Sequence, residues 1–363
     1  MLDDIYEIFI VFTRNCNLNC SYCYENKSNK KIDKYTIDKI IKFIKDRKKI
    51  HKINLFGGEP FLEPDLIDYF INNLIDIKNE TNREFIIFTN TNVTIFNKKI
   101  ENLLNKISEN FLFYCVLSID GNEKCHDKYR VTKDGKPTYN LVINNFKKIK
   151  NNCPKVKFGY NSVITPEMAK DFYNIVKSMI RNPVFLGGVF QYIEQIDENK
   201  EVKYNISDLE NVYKAIMKLN QEGYSSGFLK ERFDNLISTL DYRYNNFYKD
   251  KEYCVHGNSI VTIDYDGKIY QCTRYLGLDY EELKKYCIYD LISGYYKDFN
   301  NTFKEIEYIV DKNSEKCNLC PTRFSCCICT ASIEINKLCG FKKECNRNYS
   351  LYEAAKNVKF ILK

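Results

Sequence analysis

Short apolar runs alternate with longer amphipathic stretches over the first half of the chain. The apolar runs predict six strands, at residues 7–13, 52–56, 84–89, 111–119, 156–164 and 184–191. Apolar positions at helical spacing predict helices between and after them, at residues 34–49, 65–79, 97–108, 138–151, 166–180 and 207–222. Strands that alternate with helices of this length are typical of a parallel sheet built from β-α units. The pattern therefore predicts an α/β domain over residues 1–222.

The alternation ends at the GYSSG segment, residues 223–227. We expect a connecting region over residues 223–253, a cysteine-rich domain over residues 254–346, and a C-terminal helix over residues 347–363. A chain of 363 residues is long enough for two domains, and its hydrophobic fraction of 44% predicts a folded core.

The cysteine content decides which kind of chemistry to look for. The chain has 16 cysteines, an acidic N-terminus (MLDDIYE) and no apolar run long enough to cross a bilayer. We therefore expect a cytoplasmic protein without a membrane partner, whose cysteines bind metal and do not form disulfides. The net charge of +7 is spread along the chain, and no nucleic-acid-binding module is recognisable.

Three cysteines follow the first predicted strand within TRNCNLNCSYCY. Cys16, Cys20 and Cys23 form a C-x3-C-x2-C pattern, and the next cysteine, Cys115, is far away in sequence. Three thiolates can hold three irons of a [4Fe–4S] cluster and leave the fourth iron to an external ligand, whereas four cysteines are usual. Zinc is the alternative, but structural zinc sites usually have four ligands. The pattern favours the cluster.

A second motif, GGEP, follows the second predicted strand. Gly57 and Gly58 would let the backbone approach a ligand closely, the Glu59 carboxylate could accept hydrogen bonds from an ammonium group, and Pro60 completes the motif. Alone, GGEP could be a turn with an exposed acid. The motif lies one helix and one strand after the cysteine triplet, and the two motifs together are far more specific than either alone.

In kind and order, these motifs resemble those of the radical S-adenosylmethionine (SAM) superfamily. The resemblance implies a partial (β/α)6 barrel with its chemistry at the carboxyl ends of the strands. It implies that the open iron binds the amino and carboxylate groups of SAM, and that GGEP contacts the amino group. It also implies reductive cleavage of SAM to a 5′-deoxyadenosyl radical.

The run SIDGNEKCHDKYR closes the fourth predicted strand. It resembles the subfamily that contains anaerobic sulfatase maturases and peptide maturases, and this resemblance implies that Ser118 and Arg130 contact the carboxylate and ribose region of SAM. An exposed salt-bridging side chain is the alternative for Arg130. His126 is expected to order the turn and is not assigned to catalysis.

Two further residues are candidate SAM contacts. Asn161, in the fifth predicted strand, could reach SAM or be a buried residue bonded to the backbone. Tyr22, between two cluster cysteines, could pack near the adenine or shield the cluster. No catalytic acid or base is assigned.

The late cysteines resemble those of the SPASM domain, which carries two auxiliary [4Fe–4S] clusters and would bring the total to three. DYDG fits a hairpin turn between VTI and KIY, with the first ligands flanking the hairpin. The resemblance implies a first auxiliary cluster, with an iron that could be open, on Cys254, Cys272 and Cys329. It implies a second on Cys317, Cys320, Cys326 and Cys345, with Cys327 and Cys339 as alternates. A structural zinc module is the alternative for this region.

SPASM proteins act mostly on peptides, and sulfatase maturases place an aspartate directly after the second hairpin cysteine as the proposed base. This chain has Thr273 there. We therefore favour maturation of a ribosomally made peptide by a thioether or other side-chain crosslink over formylglycine formation. A non-enzymatic zinc-binding scaffold is the alternative of another class. The expected partners are the peptide, a separate leader-binding protein, and a ferredoxin or flavodoxin as electron donor.

Overall fold

The computed structural model describes residues 2–181, 188–192, 204–223 and 259–297, and scattered positions between 335 and 358. The chain divides into two compact units. The first consists of Met1–Ser162, Ile180–Gly188 and His256–Lys297. The second consists of Val163–Met179, Val189–Val255 and Asp298–Lys363.

The described strands, numbered in chain order, are β1 (Glu7–Thr13), β2 (Lys52–Gly57), β3 (Ile86–Thr91), β4 (Leu112–Ser118), β5 (Lys157–Ile164), β6 (Gly188–Tyr192), β7 (Ile260–Ile263), β8 (Lys268–Tyr270) and β9 (Tyr289–Asp290). The described helices are α1 (Lys34–Asp46), α2 (Pro64–Thr81), α3 (Lys98–Asn110), α4 (Glu123–Tyr129), α5 (Tyr139–Asn152), α6 (Pro166–Lys170), α7 (Phe172–Arg181), α8 (Ile206–Gln221) and α9 (Tyr280–Leu283). Each of the six predicted strands and six predicted helices has a counterpart. Two differences are the additional helix α4 and a break at Asp171, which divides the predicted helix 166–180 into α6 and α7.

In the first unit the strands lie in the order β5-β4-β3-β2-β1-β7-β8-β9. Strands β1 to β5 are mutually parallel, and β7 pairs in parallel with β1. The predicted hairpin is present as the antiparallel pair of β7 and β8, whose turn is closed by a hydrogen bond from Gly267 N to Asp264 O of 2.9 Å. Because parallel strands share a direction, their carboxyl ends meet at one edge of the sheet.

The two faces of this sheet differ. One face is fully buried, as at Ile8 and Ile10 on β1, and packs against helices through contacts such as the one between Phe12 and Phe70 of α2. The opposite face carries four half-buried aromatic side chains, Phe9, Phe56, Phe88 and Tyr114. Phe88 and Tyr114 stack with ring centroids 5.1 Å apart, and Phe9 meets Phe56 edge to face at 5.5 Å. These four rings are called the aromatic face below.

The second unit contains the end of β5, most of β6, and helices α6, α7 and α8. Helix α6 begins at Pro166 after an N-cap at Thr165, whose hydroxyl accepts a hydrogen bond from Met168 N. Lys177 on α7 pairs with Glu222 at 2.6 Å. Within the described parts of the chain, no helix has the length and apolar character needed to cross a membrane.

Candidate functional site

The three motif cysteines lie in the loop between β1 and α1. Cys16 is 6% exposed, and its sulfur accepts a hydrogen bond from Leu18 N at 3.5 Å. A turn closed by Cys23 N and Cys20 O, 3.1 Å apart, joins the other two. Burial raises the pKa of Cys16 to about 12 and also raises the pKa of Cys23. A buried thiolate needs a positive charge beside it, which cluster iron would supply, so this donor set fits an iron–sulfur cluster.

The geometry of the triplet differs from that of a single-ion site. In the described ranges, no three His, Cys, Asp or Glu side chains converge as ligands of one metal ion. A four-iron cluster makes a different demand, because each thiolate binds a different iron.

A buried ion pair anchors the cysteine loop to the β7–β8 hairpin. The Arg14 guanidinium donates to both oxygens of Asp264, at 2.9 and 2.6 Å, and to the Leu276 carbonyl at 2.7 Å. Arg14 is 3% exposed and Asp264 is fully buried. Breaking such a pair would leave an uncompensated buried charge, so the pair fixes where the loop lies.

The two glycines of GGEP lie against the same loop. A Cβ on Gly57 would come within 2.3 Å of Thr13 O, and one on Gly58 within 2.4 Å of Asn15 O. Backbone hydrogen bonds of 2.9 Å, from Gly58 N to Thr13 O and from Glu59 N to Asn15 O, complete the contact. These glycines therefore permit a close approach between GGEP and the chain from Thr13 to Cys16, where β1 leads into the cysteine loop. Contact of Gly57 and Gly58 with SAM stays a prediction.

Glu59 is buried, at 1% exposure, so the alternative of a turn with an exposed acid is wrong. Its carboxylate accepts hydrogen bonds from Phe61 N (3.1 Å), Thr91 Oγ1 (2.8 Å) and Asn92 N (2.7 Å). Pro60 is buried and begins the short 3₁₀ helix that Glu59 caps. Burial raises the pKa of Glu59 to about 7 despite these donors. A carboxylate offers about four acceptor positions, so one remains for an ammonium group.

Arg130 is paired and buried, so the alternative of an exposed salt bridge is also wrong. Its Nε and one terminal nitrogen donate to the two oxygens of Asp120, at 2.8 and 3.2 Å. The Tyr22 hydroxyl donates to the same carboxylate, and the Tyr22 ring lies 5.3 Å from the Arg130 guanidinium carbon. Burial raises the pKa of Tyr22 well above its usual range, so the phenol keeps its proton. Tyr22 thereby links the cysteine loop to the end of β4.

His126 is fully buried beneath this turn. Its Nδ1 accepts a hydrogen bond from Asp120 N at 3.3 Å, and its Nε2 lies 3.0 Å from Thr138 Oγ1. Burial lowers the pKa of His126 to about 4, so the ring is neutral and Nε2 carries the proton. The expected ordering role of His126 is confirmed.

Ser118, the last residue of β4, is the register partner of Asn161 in β5. The Asn161 Oδ1 atom is buried and has no hydrogen-bond partner within the structure described. The alternative reading of Asn161, a side chain bonded to the backbone, therefore fails for its oxygen. An acceptor without a donor fits a ligand that supplies one.

Two residues near the cysteines were missed by sequence reasoning. Asn92 follows β3, and its Nδ2 lies 3.7 Å from Cys16 Sγ. Glu25 follows Cys23 by two residues, and its buried Oε2 has no partner in the part of the chain described. Burial raises the pKa of Glu25 to about 7. The TNTN run at the end of an apolar strand, between two motif-bearing strands, is a signal that could have indicated Asn92.

Of the predicted auxiliary ligands, the structure describes Cys272. It is buried and directly precedes a 3₁₀ helix at Thr273–Gly277. The remaining predicted ligands and alternates lie outside the described residues: Cys254, Cys317, Cys320, Cys326, Cys327, Cys329, Cys339 and Cys345.

A sequence profile of the radical SAM superfamily matches residues 10–179, the segment that carries the cysteine loop, GGEP and the Asp120–Arg130 pair. Residues 10–179 form a radical SAM domain. Radical SAM domains are catalytic, so the chain is an enzyme, and the predicted family is confirmed.

The chain is similar to proteins of more than one activity. It is 28% identical over 279 residues to a probable GTP 3′,8-cyclase of Methanocaldococcus jannaschii, covering 74% of this chain and 85% of that protein. It is 26% identical over 285 residues to a cysteine-type anaerobic sulfatase-maturating enzyme of Clostridium novyi, covering 74% and 73% respectively.

Two solved structures resemble the chain in fold. Native anSMEcpe with bound AdoMet and Cp18Cys peptide aligns with a TM-score of 0.67 and 21% identity, over 97% of this chain and 99% of that one. Streptococcus suis SuiB bound to precursor peptide SuiA aligns with a TM-score of 0.58 and 16% identity, over 90% and 72%. These likenesses confirm the predicted fold, a mixed α/β barrel-like architecture with parallel strands.

Proposed function

We propose that this radical SAM enzyme modifies a ribosomally made peptide and forms a thioether or another side-chain crosslink. The observation that carries the proposal is the convergence of three motifs at the carboxyl edge of one parallel sheet. There the cysteine loop lies against the GGEP backbone, and Tyr22 ties the loop to the Asp120–Arg130 pair. Barrel enzymes assemble their reactive groups at this edge.

The cofactors would be held by residues already described. Cys16, Cys20 and Cys23 would bind a [4Fe–4S] cluster, and SAM bound there supplies radical chemistry that removes a hydrogen atom from an unreactive C–H bond. The open acceptor position of Glu59 suits the SAM amino group. Asn161 Oδ1 suits a hydroxyl or amino donor of SAM, with Ser118 beside it. Asp120 orients Arg130 through two of its five donors, and the other three have no partner among the described residues.

The aromatic face supports a peptide substrate. Its four rings are half-buried and lie on the face of the sheet opposite the buried face that packs against helices. The strands that carry these rings lead into the motif residues at their carboxyl ends. Partly exposed aromatic rings suit apolar side chains of a bound peptide. The two structural neighbours named above are complexes with peptides.

A crosslink is favoured over formylglycine because of the residue after Cys272. The resemblance to sulfatase maturases implies an aspartate there as base, but Thr273 carries no carboxylate. Joining a thiol to a carbon removes two hydrogens from the peptide. One would leave as an atom to the SAM-derived radical, and the second as a proton and an electron.

The electron that leaves with this second hydrogen needs an acceptor, which auxiliary clusters on the late cysteines would provide. The first auxiliary cluster would use Cys254, Cys272 and Cys329, and the second Cys317, Cys320, Cys326 and Cys345. We propose further that the enzyme works in the cytoplasm, receives electrons from a ferredoxin or flavodoxin, and recognises its peptide with the help of a separate leader-binding protein.

The SAM site is tested by measuring 5′-deoxyadenosine released from SAM under anaerobic reduction. Replacing Cys16, Cys20 and Cys23 together by Ala is expected to abolish the release. The matched control replaces Cys115, Cys125 and Cys153 by Ala, and these are three buried cysteines of the same unit. The control variant should still release 5′-deoxyadenosine. Full release by the first triple variant would refute the site.

The substrate class is tested by mass spectrometry with two probes: GTP, and any short cysteine-containing peptide found to be encoded near the gene of this chain. The proposal predicts peptide that is two hydrogens lighter and has lost a free thiol. An aldehyde trapped by a hydrazine would instead favour formylglycine formation, the second candidate that the sulfatase-maturase relative supports. Consumption of GTP with unchanged peptide would refute a peptide substrate and favour the activity named for the cyclase relative.

A further inference from the structure

Asn92 is buried, at 6% exposure, one residue beyond the end of β3. Its Nδ2 lies 3.7 Å from Cys16 Sγ and 2.9 Å from Asn17 Oδ1. Its Oδ1 accepts hydrogen bonds from Thr94 N at 3.0 Å and from Thr94 Oγ1 at 2.6 Å. Because a backbone N–H can only donate, the amide oxygen must face Thr94, which leaves the amide nitrogen to face Cys16.

The backbone of Asn92 is fixed as firmly as its side chain. Asn92 N donates to Glu59 Oε2 at 2.7 Å, and the preceding Thr91 hydroxyl donates to Glu59 Oε1 at 2.8 Å. The next residue, Val93, has a φ of +56°, which is strained for a β-branched side chain. Val93 is 2% exposed, and its carbonyl accepts a hydrogen bond of 2.9 Å from Asn145 Nδ2. Backbone strain held in place by such contacts is typical of functional positions.

The chemistry of this contact follows from the charge on sulfur. Cys16 Sγ has two nitrogen donors directed at it, Leu18 N and Asn92 Nδ2. When Cys16 is a cluster ligand, its sulfur carries negative charge, and a reduced cluster places more charge on its sulfurs than an oxidised one. Donors directed at the sulfur therefore stabilise the reduced state, and hydrogen bonds to sulfur are among the features that set cluster potentials.

We propose that Asn92 is a positioning residue for the SAM cluster, whose side-chain N–H···S contact with Cys16 raises the reduction potential of that cluster. The inference rests on the cluster site of the proposed function and is independent of the peptide substrate. Asn92 also holds Glu59 through its backbone, so one residue connects the cysteine loop with the carboxylate that would receive the SAM amino group.

The test is a redox titration of the reconstituted full-length protein, followed by electron paramagnetic resonance. The SAM cluster is identified as the signal that changes when SAM is added. Asn92→Leu keeps a similar size but loses the donor. We expect its SAM cluster to be about tenfold harder to reduce, a shift of about 59 mV to lower potential for a one-electron couple. Asn92→Asp keeps the acceptor for Thr94 but lacks the N–H, and should shift the potential in the same direction.

Two further variants separate positioning from general destabilisation. Thr94→Val removes one of the two donors that orient the amide while leaving Asn92 in place, and should give a smaller shift of the same sign. Asn105→Leu makes the same chemical change on helix α3, where the side chain bonds Asn152 O, and should leave the potential unchanged.

Variants that bind the wild-type amount of iron and titrate at the wild-type potential would overturn the inference while leaving the cluster site intact. A wild-type protein without a SAM-responsive cluster signal would overturn the cluster site, and the inference with it.

Discussion

At the scale of single residues, Glu59 shows how one carboxylate joins separate parts of the site. The sequence predicts a carboxylate near SAM at this position, because GGEP is a recognisable motif. Its contacts with Thr91 and Asn92 could not be predicted, since they depend on how β3 ends beside β2. Local motifs name the groups that bind a cofactor, whereas their supporting hydrogen bonds come from residues that are distant in sequence.

Replacing Glu59 by Gln tests this support. The amide NH₂ group cannot accept a hydrogen bond, so at least one of the three bonds to Glu59 is lost in the interior. The free energy of unfolding should fall by about 1–3 kcal/mol, measured by denaturant unfolding of the protein without cofactors. Glu63→Gln is the control, because it alters a salt bridge with the exposed Lys31 side chain. This control should lower the free energy of unfolding by less. Equal effects of the two changes would contradict the buried network.

His126 gives a prediction about pH. Its pKa is about 4 in the folded chain and near 6.5 when unfolded, so between these values the unfolded chain binds more protons. The contribution of His126 to stability is therefore present above pH 6.5 and falls by about 3 kcal/mol as the pH drops to 4. Measured by denaturant unfolding, stability relative to His126→Asn should fall over this range.

Comparing wild type with His126→Asn cancels the contributions that other titrating groups make to the pH dependence of stability. One of these groups is Glu59, whose raised pKa gives the opposite pH dependence. Asparagine cannot titrate, and its oxygen can still accept from Asp120 N. His51→Asn removes an exposed histidine and is the control. If the stability difference between wild type and His126→Asn did not vary with pH, His126 would not be the buried neutral group described.

At the scale of elements, apolar periodicity predicts the strands and helices of the barrel because each buries a regular face. Helix α4 was missed because its seven residues, EKCHDKY, are too short and polar to show a period. Its N-cap, Asn122, accepts a hydrogen bond from Cys125 N. The break at Asp171 was missed because α6 and α7 together look like one amphipathic stretch.

The contact between β2 and the cysteine loop depends on Gly58. A methyl group there would meet Asn15 O at 2.4 Å and Cys16 Cβ at 3.0 Å, and both belong to the loop. Gly58→Ala should therefore displace Cys16 and lower iron bound per chain and the affinity for SAM, measured by iron analysis and isothermal titration. Gly135→Ala is the control for backbone strain, because Gly135 has a φ of +80° but no atom beyond its chain neighbours lies within 4 Å of its added Cβ. Normal iron content and SAM affinity in Gly58→Ala would show that the loop does not need this contact.

At the scale of the whole molecule, the sequence predicts a barrel followed by a cysteine-rich domain beginning at residue 254. In the structure, His256–Lys297 belong to the same compact unit as Met1–Ser162. Parallel pairing of β7 with β1 and the Arg14–Asp264 ion pair account for this, and both join residues about 250 positions apart. Such pairings leave no local pattern. The division into two auxiliary clusters stays a prediction.

The measurement that tests the central claim most directly is iron, sulfide and zinc per chain, after anaerobic reconstitution, for wild type and for the triple Ala variant of Cys16, Cys20 and Cys23. The account predicts about twelve irons with matching sulfide and no zinc in wild type, and about eight irons in the variant. The same iron content in both proteins would contradict a SAM cluster on these cysteines. About four irons with zinc in wild type would retain that cluster and replace the auxiliary clusters by a zinc module.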